Sequence, residues 1–196
     1  MTAISALQSI HKKGVFGDHH KKNESDLIRI TEIKNLYIIQ IAQYKNSKTD
    51  IKNIKIDDLQ LSLESLKTSS NKNTRILWVG PNTWLVISTK ENIMKNIKKE
   101  CNSENFAVTD ISHSRAIIQI TGPQAKEVLK KGCPINFEEL LKNNSASTVF
   151  HGIAILIDCI EDDDEKVINI LTLRSFGESL YHHITDATLE FGYISI

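Results

Sequence analysis

Disulfide chemistry and structural zinc have little to work with in this sequence. Its three cysteines, Cys101, Cys133 and Cys159, are widely separated, odd in number and free of any C-x-x-C spacing. That argues against a secreted disulfide scaffold and against a zinc ribbon, and makes the cytoplasm the expected compartment. Net charge is missing as well, since 24 basic and 24 acidic residues cancel. No electrostatic field therefore draws the chain to nucleic acid or to an anionic membrane. Arginine is confined to Arg29, Arg75, Arg115 and Arg174, the remaining bases being lysines. No uninterrupted apolar window approaches about 18 residues, and the N-terminus has no apolar signal-peptide stretch, so neither a membrane span nor a secretion signal is expected. Neither G-x-G-x-x-G nor G-x-x-x-x-G-K-[ST] occurs, which removes the usual sequence marks of nucleotide binding.

What remains is an ordinary folding composition. The 196 residues are 40% hydrophobic, and a chain of that length buries roughly 70% of the surface its unfolded form exposes without needing a staple. Residues 1–25 read as an irregular arm with Gly14 and Gly17 and no sustained period. Its apolar residues Leu7, Ile10, Val15 and Phe16 require a covering surface, on the chain's own body or on a partner. His11, His19 and His20 lack Cys or acidic residues at ligand spacing, so a solvated arm is expected there in preference to a metal site.

Residues 26–196 read as a single α+β domain of two closely packed lobes, with a variable connection over 45–73. "LIRITEI" and "LYIIQIAQY" are predicted strands, and "LQLSLESL" is the one apolar segment of the connection. "RILWV" and "WLVIS" follow as strands joined by Gly80-Pro81-Asn82. Ser88 with Glu91 has capping-box spacing and predicts a helix whose inward face is Ile93, Met94 and Ile97. "FAVTDI" and "RAIIQI" are strands, after which Gly122 and Pro123 open a second helix that Gly132 ends. "IAILIDCI" and "VINILTL" form a hairpin with an acidic tip from Glu161 to Glu165. Ser175 and Glu178, a second capping box, begin a last helix that buries Leu180, Ile184, Ala187 and Phe191. The order strand–strand–helix–strand, then strand–helix–strand–strand–helix, predicts mainly antiparallel sheets with helices on one side, arranged as pseudo-duplicated ferredoxin-like units.

The densest chemistry lies in "DISHSR", where Asp110, Ser112, His113, Ser114 and Arg115 crowd together. Ser112 and His113 are sequence neighbours, so in extended chain they point to opposite faces and cannot act as nucleophile and base. A polar turn is the better reading, with Asp110 capping local amides and Arg115 reaching a carboxylate or backbone carbonyls at the sheet end. The run "EDDDE" has neither the glycine nor the spacing of an EF-hand and reads as a hairpin tip. His182 and His183 are adjacent on a helix and poorly placed to share a ligand, and Trp78 and Trp84 read as core. Catalytic, cofactor-binding and metal residues are accordingly expected to be none, and Asp110, Arg115, Gly122 and Pro123 are expected to be structural.

"FAVTDISHSRAIIQITGPQAKEVLKKGCPINF" resembles the central signature of the gamma subunits of heterotetrameric sarcosine oxidase. "SALQ" with "GVFG", "IIQIAQYK", "RILWVGPNTWLVIS" and "LRSFGESLYHHITDATLEFG" fall in the order that family shows, which leaves only 45–73 outside the resemblance. The central piece is also similar to the wider family of glycine-cleavage T-protein-like, folate-binding aminomethyltransferases, with V-x-D-x-S followed by a G-P-x-A helix start. This resemblance implies a T-protein-like fold and a non-catalytic place in a cytoplasmic complex with alpha, beta and delta subunits, with Leu7, Ile10, Val15 and Phe16 of the arm as the expected partner interface. In that family the assembled enzyme demethylates sarcosine to glycine, forming hydrogen peroxide and 5,10-methylenetetrahydrofolate. By the same resemblance FAD, FMN, NAD, zinc and tetrahydrofolate belong to the partner subunits. The folate-dependent enzymes carry a G-G-I-x-D-D-type hairpin whose Asp serves folate; here the hairpin reads "FHGIAILIDCIEDDDEK" and offers only Asp158 within a strand. The alternatives are a stand-alone folate-dependent aminomethyltransferase, marked by Asp158 or Asp110 beside a folate-sized cleft, and a folate-binding accessory protein without turnover.

Overall fold

The structure, a computed structural model, describes residues 4–196. In chain order its elements are β1 (Gly14–Phe16), β2 (Ile28–Glu32), β3 (Tyr37–Gln43), β4 (Lys55–Ile56), β5 (Leu59–Gln60), β6 (Thr68–Ser70), β7 (Thr74–Gly80) and β8 (Thr83–Ser88). There follow α1 (Ile93–Glu100), β9 (Phe106–Asp110), β10 (Arg115–Thr121), α2 (Ala125–Lys130), β11 (Ser145–Phe150), β12 (Ile153–Glu161), β13 (Val167–Leu173), α3 (Gly177–Thr188) and β14 (Tyr193–Ser195). Two compact units result. One takes the described residues up to Lys34 together with 114–142 and 146–196; the other takes 35–113 and 143–145.

The first unit is built on a seven-stranded sheet of order β1-β14-β2-β10-β13-β12-β11. Strands β10, β12, β13 and β14, with helices α2 and α3 between them, follow the β-α-β-β-α-β sequence of a ferredoxin-like unit. Their sheet order is fourth, first, third, second, with β2 inserted between the fourth and the first, where it runs parallel to β14 and antiparallel to β10. Strict alternation decides which face is covered. Ile118 and Ile120 of β10, Ile168 and Ile170 of β13, and Ile155, Ile157 and Cys159 of β12 share one core with Val128 and Leu129 of α2 and Leu180 and Ile184 of α3. Each fully buried aliphatic side chain contributes about 1.5–3 kcal/mol, so this face dominates the stability of the unit.

The second unit repeats the scheme. Strands β3, β7, β8 and β9 order as β7-β8-β3-β9, again second, third, first, fourth, with β6 added outside β7. Helix α1 joins β8 to β9 as the second crossover. The first crossover is not a helix: a single turn at Ile51–Asn53, the β4–β5 hairpin and β6 take its place. Ile51, Ile54, Ile56 and Leu61 from this stretch are buried with Ile39, Ile41, Ile76, Trp84, Val86, Ile93 and Ile97. The variable 45–73 connection therefore supplies one wall of a core. The pseudo-duplicated, mainly antiparallel α+β architecture expected from the sequence is present.

Two helix starts differ from expectation. Ser88 ends β8 and is buried; its hydroxyl lies 2.8 Å from that of Thr74 and accepts the Lys90 amide at 3.1 Å, and α1 begins only at Ile93. At the last helix a turn at Arg174–Phe176 precedes α3, no side chain caps it, and Glu178 instead accepts a hydrogen bond from Ser9. In both places the predicted capping side chain is occupied by a tertiary contact.

Candidate functional site

The "DISHSR" segment folds as a turn. Asp110 is the last residue of β9, Ser112 to Ser114 make a single helical turn, and Arg115 starts β10. Asp110 Oδ1 accepts the Ser112 amide at 2.9 Å and the Ser112 hydroxyl at 2.6 Å, while Ser112 Oγ accepts the Ile38 amide at 2.9 Å. The serine thus has its proton on Asp110 and its oxygen on a strand amide, which leaves it no base. Hydrogen bonds from the Ser112 hydroxyl and amide hold the Asp110 carboxyl below its usual range, against a smaller opposing effect of burial. His113 is exposed. Arg115 is half-buried, and its guanidinium has no acceptor among the described residues, contrary to the expectation that it reaches a carboxylate or carbonyl. Gly122 donates to the Lys166 carbonyl at 3.0 Å and has φ +138°, and a side chain there would lie 3.1 Å from the Leu27 carbonyl. Pro123 follows it, one residue ahead of Gln124, the N-cap of α2.

Asp158, in the interior of β12, stands on the face of the sheet opposite the helices; the strand runs on to Glu161, so the acidic tip begins within it. Register places it beside Asn169 of β13, then Gln119 of β10, then Thr31 of β2. Gln119 Nε2 donates to Asn169 Oδ1 at 3.0 Å, and Asp158 has no accessible surface. A carboxylate that serves folate has to reach it, and this one is closed off. The residues present therefore do not fit the folate-serving hairpin of the aminomethyltransferases.

The acidic tip is a clamp as much as a solvated turn. Lys126 of α2 meets Asp162 at 2.5 Å, Lys142 meets Glu161 at 2.5 Å and Arg29 of β2 meets Glu165 at 2.6 Å. Lys126 and Asp162 are both largely buried.

The N-terminal arm is bound to the chain's own first unit. Leu7 is fully buried in its core, Ile10 and Phe16 pack against that core, and Val15 is 47% exposed. Glu32 accepts bonds from the Ser5 hydroxyl and, at 3.1 Å, from the Ala6 amide. Residues 14–16 add a strand beside β14, and Phe16 stacks on Tyr193 with centroids 5.2 Å apart. The expected partner-facing role is thus revised: Leu7 faces inward because β2, β10 and α3 leave a place for it, and Val15 alone of the four presents substantial surface.

Burial raises the Cys101 and Cys133 thiols to about 12, with Glu100 adding to the effect at Cys101, so neither is a ready nucleophile. The His151 and His183 rings lie 5.1 Å apart, yet among the described residues no three His, Cys, Asp or Glu side chains converge as a metal site. Two open concavities lie within single units. One, of about 410 Å³, is lined by His182, His183, Asp186 and Tyr193; the other, of about 440 Å³, by Lys55, Asp57, Asp58 and Lys99 among others. Neither includes Asp110 or Asp158.

No family model matches the sequence. Among curated proteins it is 31% identical over 122 residues to a sarcosine oxidase subunit gamma from Corynebacterium sp. (strain U-96), covering 60% of this chain and 58% of that one. It is 27% identical over 123 residues to a subunit of the same name from Arthrobacter sp, covering 61% and 59%. The matched stretch thus spans about three fifths of these curated relatives. Among solved structures, a chain of heterotetrameric sarcosine oxidase from Corynebacterium sp. U-96 in complex with pyrrole 2-carboxylate superposes with TM-score 0.83 at 21% identity, covering 96% of this chain and 95% of that one. Glycine cleavage system aminomethyltransferase T from Bartonella henselae superposes with TM-score 0.59 at 14% identity, covering 81% of this chain but 45% of the other. The resemblance read from the sequence holds: the chain is similar in sequence to sarcosine oxidase gamma subunits and shares the T-protein-like fold of both solved structures.

Proposed function

We propose that this chain is a non-catalytic gamma subunit of a heterotetrameric sarcosine oxidase, which supports the folding and assembly of the larger subunits. The observation that carries the reading is the sequence similarity to subunits of that name, 31% over 122 residues. The geometry agrees with it: Ser112 is held in a turn, the Cys101 and Cys133 thiols are buried with raised pKa, and Asp158 has no accessible surface. On this reading the alpha, beta and delta subunits hold FAD, FMN, NAD, zinc and tetrahydrofolate, and this chain holds none. The assembled enzyme would oxidise sarcosine to glycine, with peroxide and methylenetetrahydrofolate as products. Among the described residues no helix is long and apolar enough to cross a membrane, and the cytoplasm is the compartment proposed. Co-expression with the large-subunit genes, followed by purification through a tag on this chain, tests the reading. A stoichiometric coloured complex supports it, and recovery of the chain alone while the other subunits assemble without it overturns it.

A further inference from the structure

The four arginines of the chain are not equivalent. Arg29 pairs with Glu165 at 2.6 Å, Arg75 reaches Asn143 at 3.4 Å, and Arg174 donates to the Ile4 carbonyl. Arg115 is half-buried, and no hydrogen-bond acceptor or carboxylate meets its guanidinium among the described residues. Burial alone acts on its ionisation, lowering its pKa from the usual arginine value with no acid pulling the other way. A guanidinium carries five donors in a planar fork, and at Arg115 none of its nitrogens is closed off from solvent, so the fork is open to an incoming acceptor.

Its surroundings say what kind of group that is. Arg115 opens β10 directly across from Leu173, the last residue of β13, which is 44% exposed. The Arg174–Phe176 turn that follows packs against β10 and leaves Phe176 46% exposed. Arginine and exposed aromatic residues are both enriched at protein interfaces, and here Phe176 lies on a turn packed against the strand that Arg115 opens. We propose that Arg115 is the anchor for a carboxylate of a protein partner, an Asp or Glu side chain that docks on the guanidinium while Leu173 and Phe176 are covered around it. The inference rests on the subunit reading above and takes the occupant to be a large subunit of that assembly. Arginine suits the task because its fork can bind both carboxylate oxygens at once.

The test uses the tagged full-length chain, co-expressed with the large subunits, as wild type, Arg115→Met and Arg115→Lys. Arg115→Met is expected to weaken the complex by about tenfold or more, the range of a hot-spot arginine. The melting temperature of the isolated Arg115→Met chain is expected to equal or exceed that of wild type, because the guanidinium has no acceptor among the described residues to lose. Arg115→Lys should recover only part of the binding, since an ammonium lacks the fork. Undiminished capture of the partners by Arg115→Met, with wild type capturing them, overturns this inference and leaves the subunit reading intact. A lower melting temperature of the isolated variant overturns it too, by revealing a partner inside the chain. Acetate raising the melting temperature of wild type but not of Arg115→Met would assign the site to a small carboxylate instead. Failure of the wild-type chain to capture any partner overturns both readings.

Discussion

Asp110 accepts two hydrogen bonds from Ser112, one from the amide at 2.9 Å and one from the hydroxyl at 2.6 Å. The same hydroxyl accepts the amide of Ile38, so one serine ties the end of β9 to the start of β3. What looks in sequence like a cluster of reactive side chains is a strand-end clamp.

Replacing Ser112 by Ala should cost about 1–2 kcal/mol, since Asp110 loses a charge-assisted bond and the Ile38 amide loses its acceptor. The sign of the pH effect follows from the lowered Asp110 pKa. Its contribution is complete above the ordinary carboxylate range and disappears as pH falls through the folded-state pKa. Melting temperatures measured over roughly pH 2 to 5 should therefore drop less steeply for Ser112→Ala than for wild type.

The Lys126–Asp162 pair predicts an asymmetry. Lys126→Met leaves Asp162 largely buried without its cation and should destabilise the chain by about 3 kcal/mol, while Lys126→Met combined with Asp162→Leu should regain most of that. Urea denaturation of the two variants measures it. Equal losses in both would mean that the aliphatic stem of the lysine, and not the ion pair, supplies the stability.

Leu7 is core, so the arm is part of the fold. Leu7→Ala should cost about 2–5 kcal/mol, and a chain starting after Phe16 should melt well below wild type. A truncated chain with unchanged melting temperature would return Leu7 to the partner-facing role.

Gly192 closes the turn before β14 with φ +68°, and a Cβ there would lie 2.5 Å from the Asp18 carbonyl oxygen. Backbone strain and the clash act together, and Gly192→Ala should cost more than about 1 kcal/mol. Thermal melts of that variant beside Gly80→Ala, where a Cβ meets nothing, separate the local clash from a general effect of losing glycine.

Much of the fold was legible because long alternating runs such as "YIIQIAQ" and "RAIIQIT" carry their burial pattern in the residue types themselves. The misses have physical causes. Strand β11, "SASTVF", has small polar residues where alternation would show, and its pairing with β12 depends on the neighbouring strand. The β4–β5 hairpin turns through Asp57 and Asp58 with φ +54° and +64°, a turn that asparagine and glycine would have announced and two aspartates do not. Asp57 takes that conformation with its carboxylate held by Thr74 at 2.6 Å and by Lys90, contacts that span 17 and 33 residues. Ser88 and Glu178 have the spacing of caps, but each is claimed by a distant partner, and spacing alone does not reveal the competitor. The arm has no sustained period because its attachment alternates between single contacts, to Glu32, Glu178 and the core, and a three-residue strand at Gly14–Phe16 too short to show one.

The central claim is that this chain contributes no reacting group. If the chain is the proposed subunit, the most direct test of that claim is the sarcosine turnover of the assembled oxidase carrying Asp158→Asn together with His113→Ala, measured on complex of normal subunit stoichiometry. Turnover within about threefold of wild type, a barrier change of roughly 0.7 kcal/mol, is the predicted result. A thousandfold loss in a fully assembled complex would contradict it and give the hairpin or the turn a catalytic role.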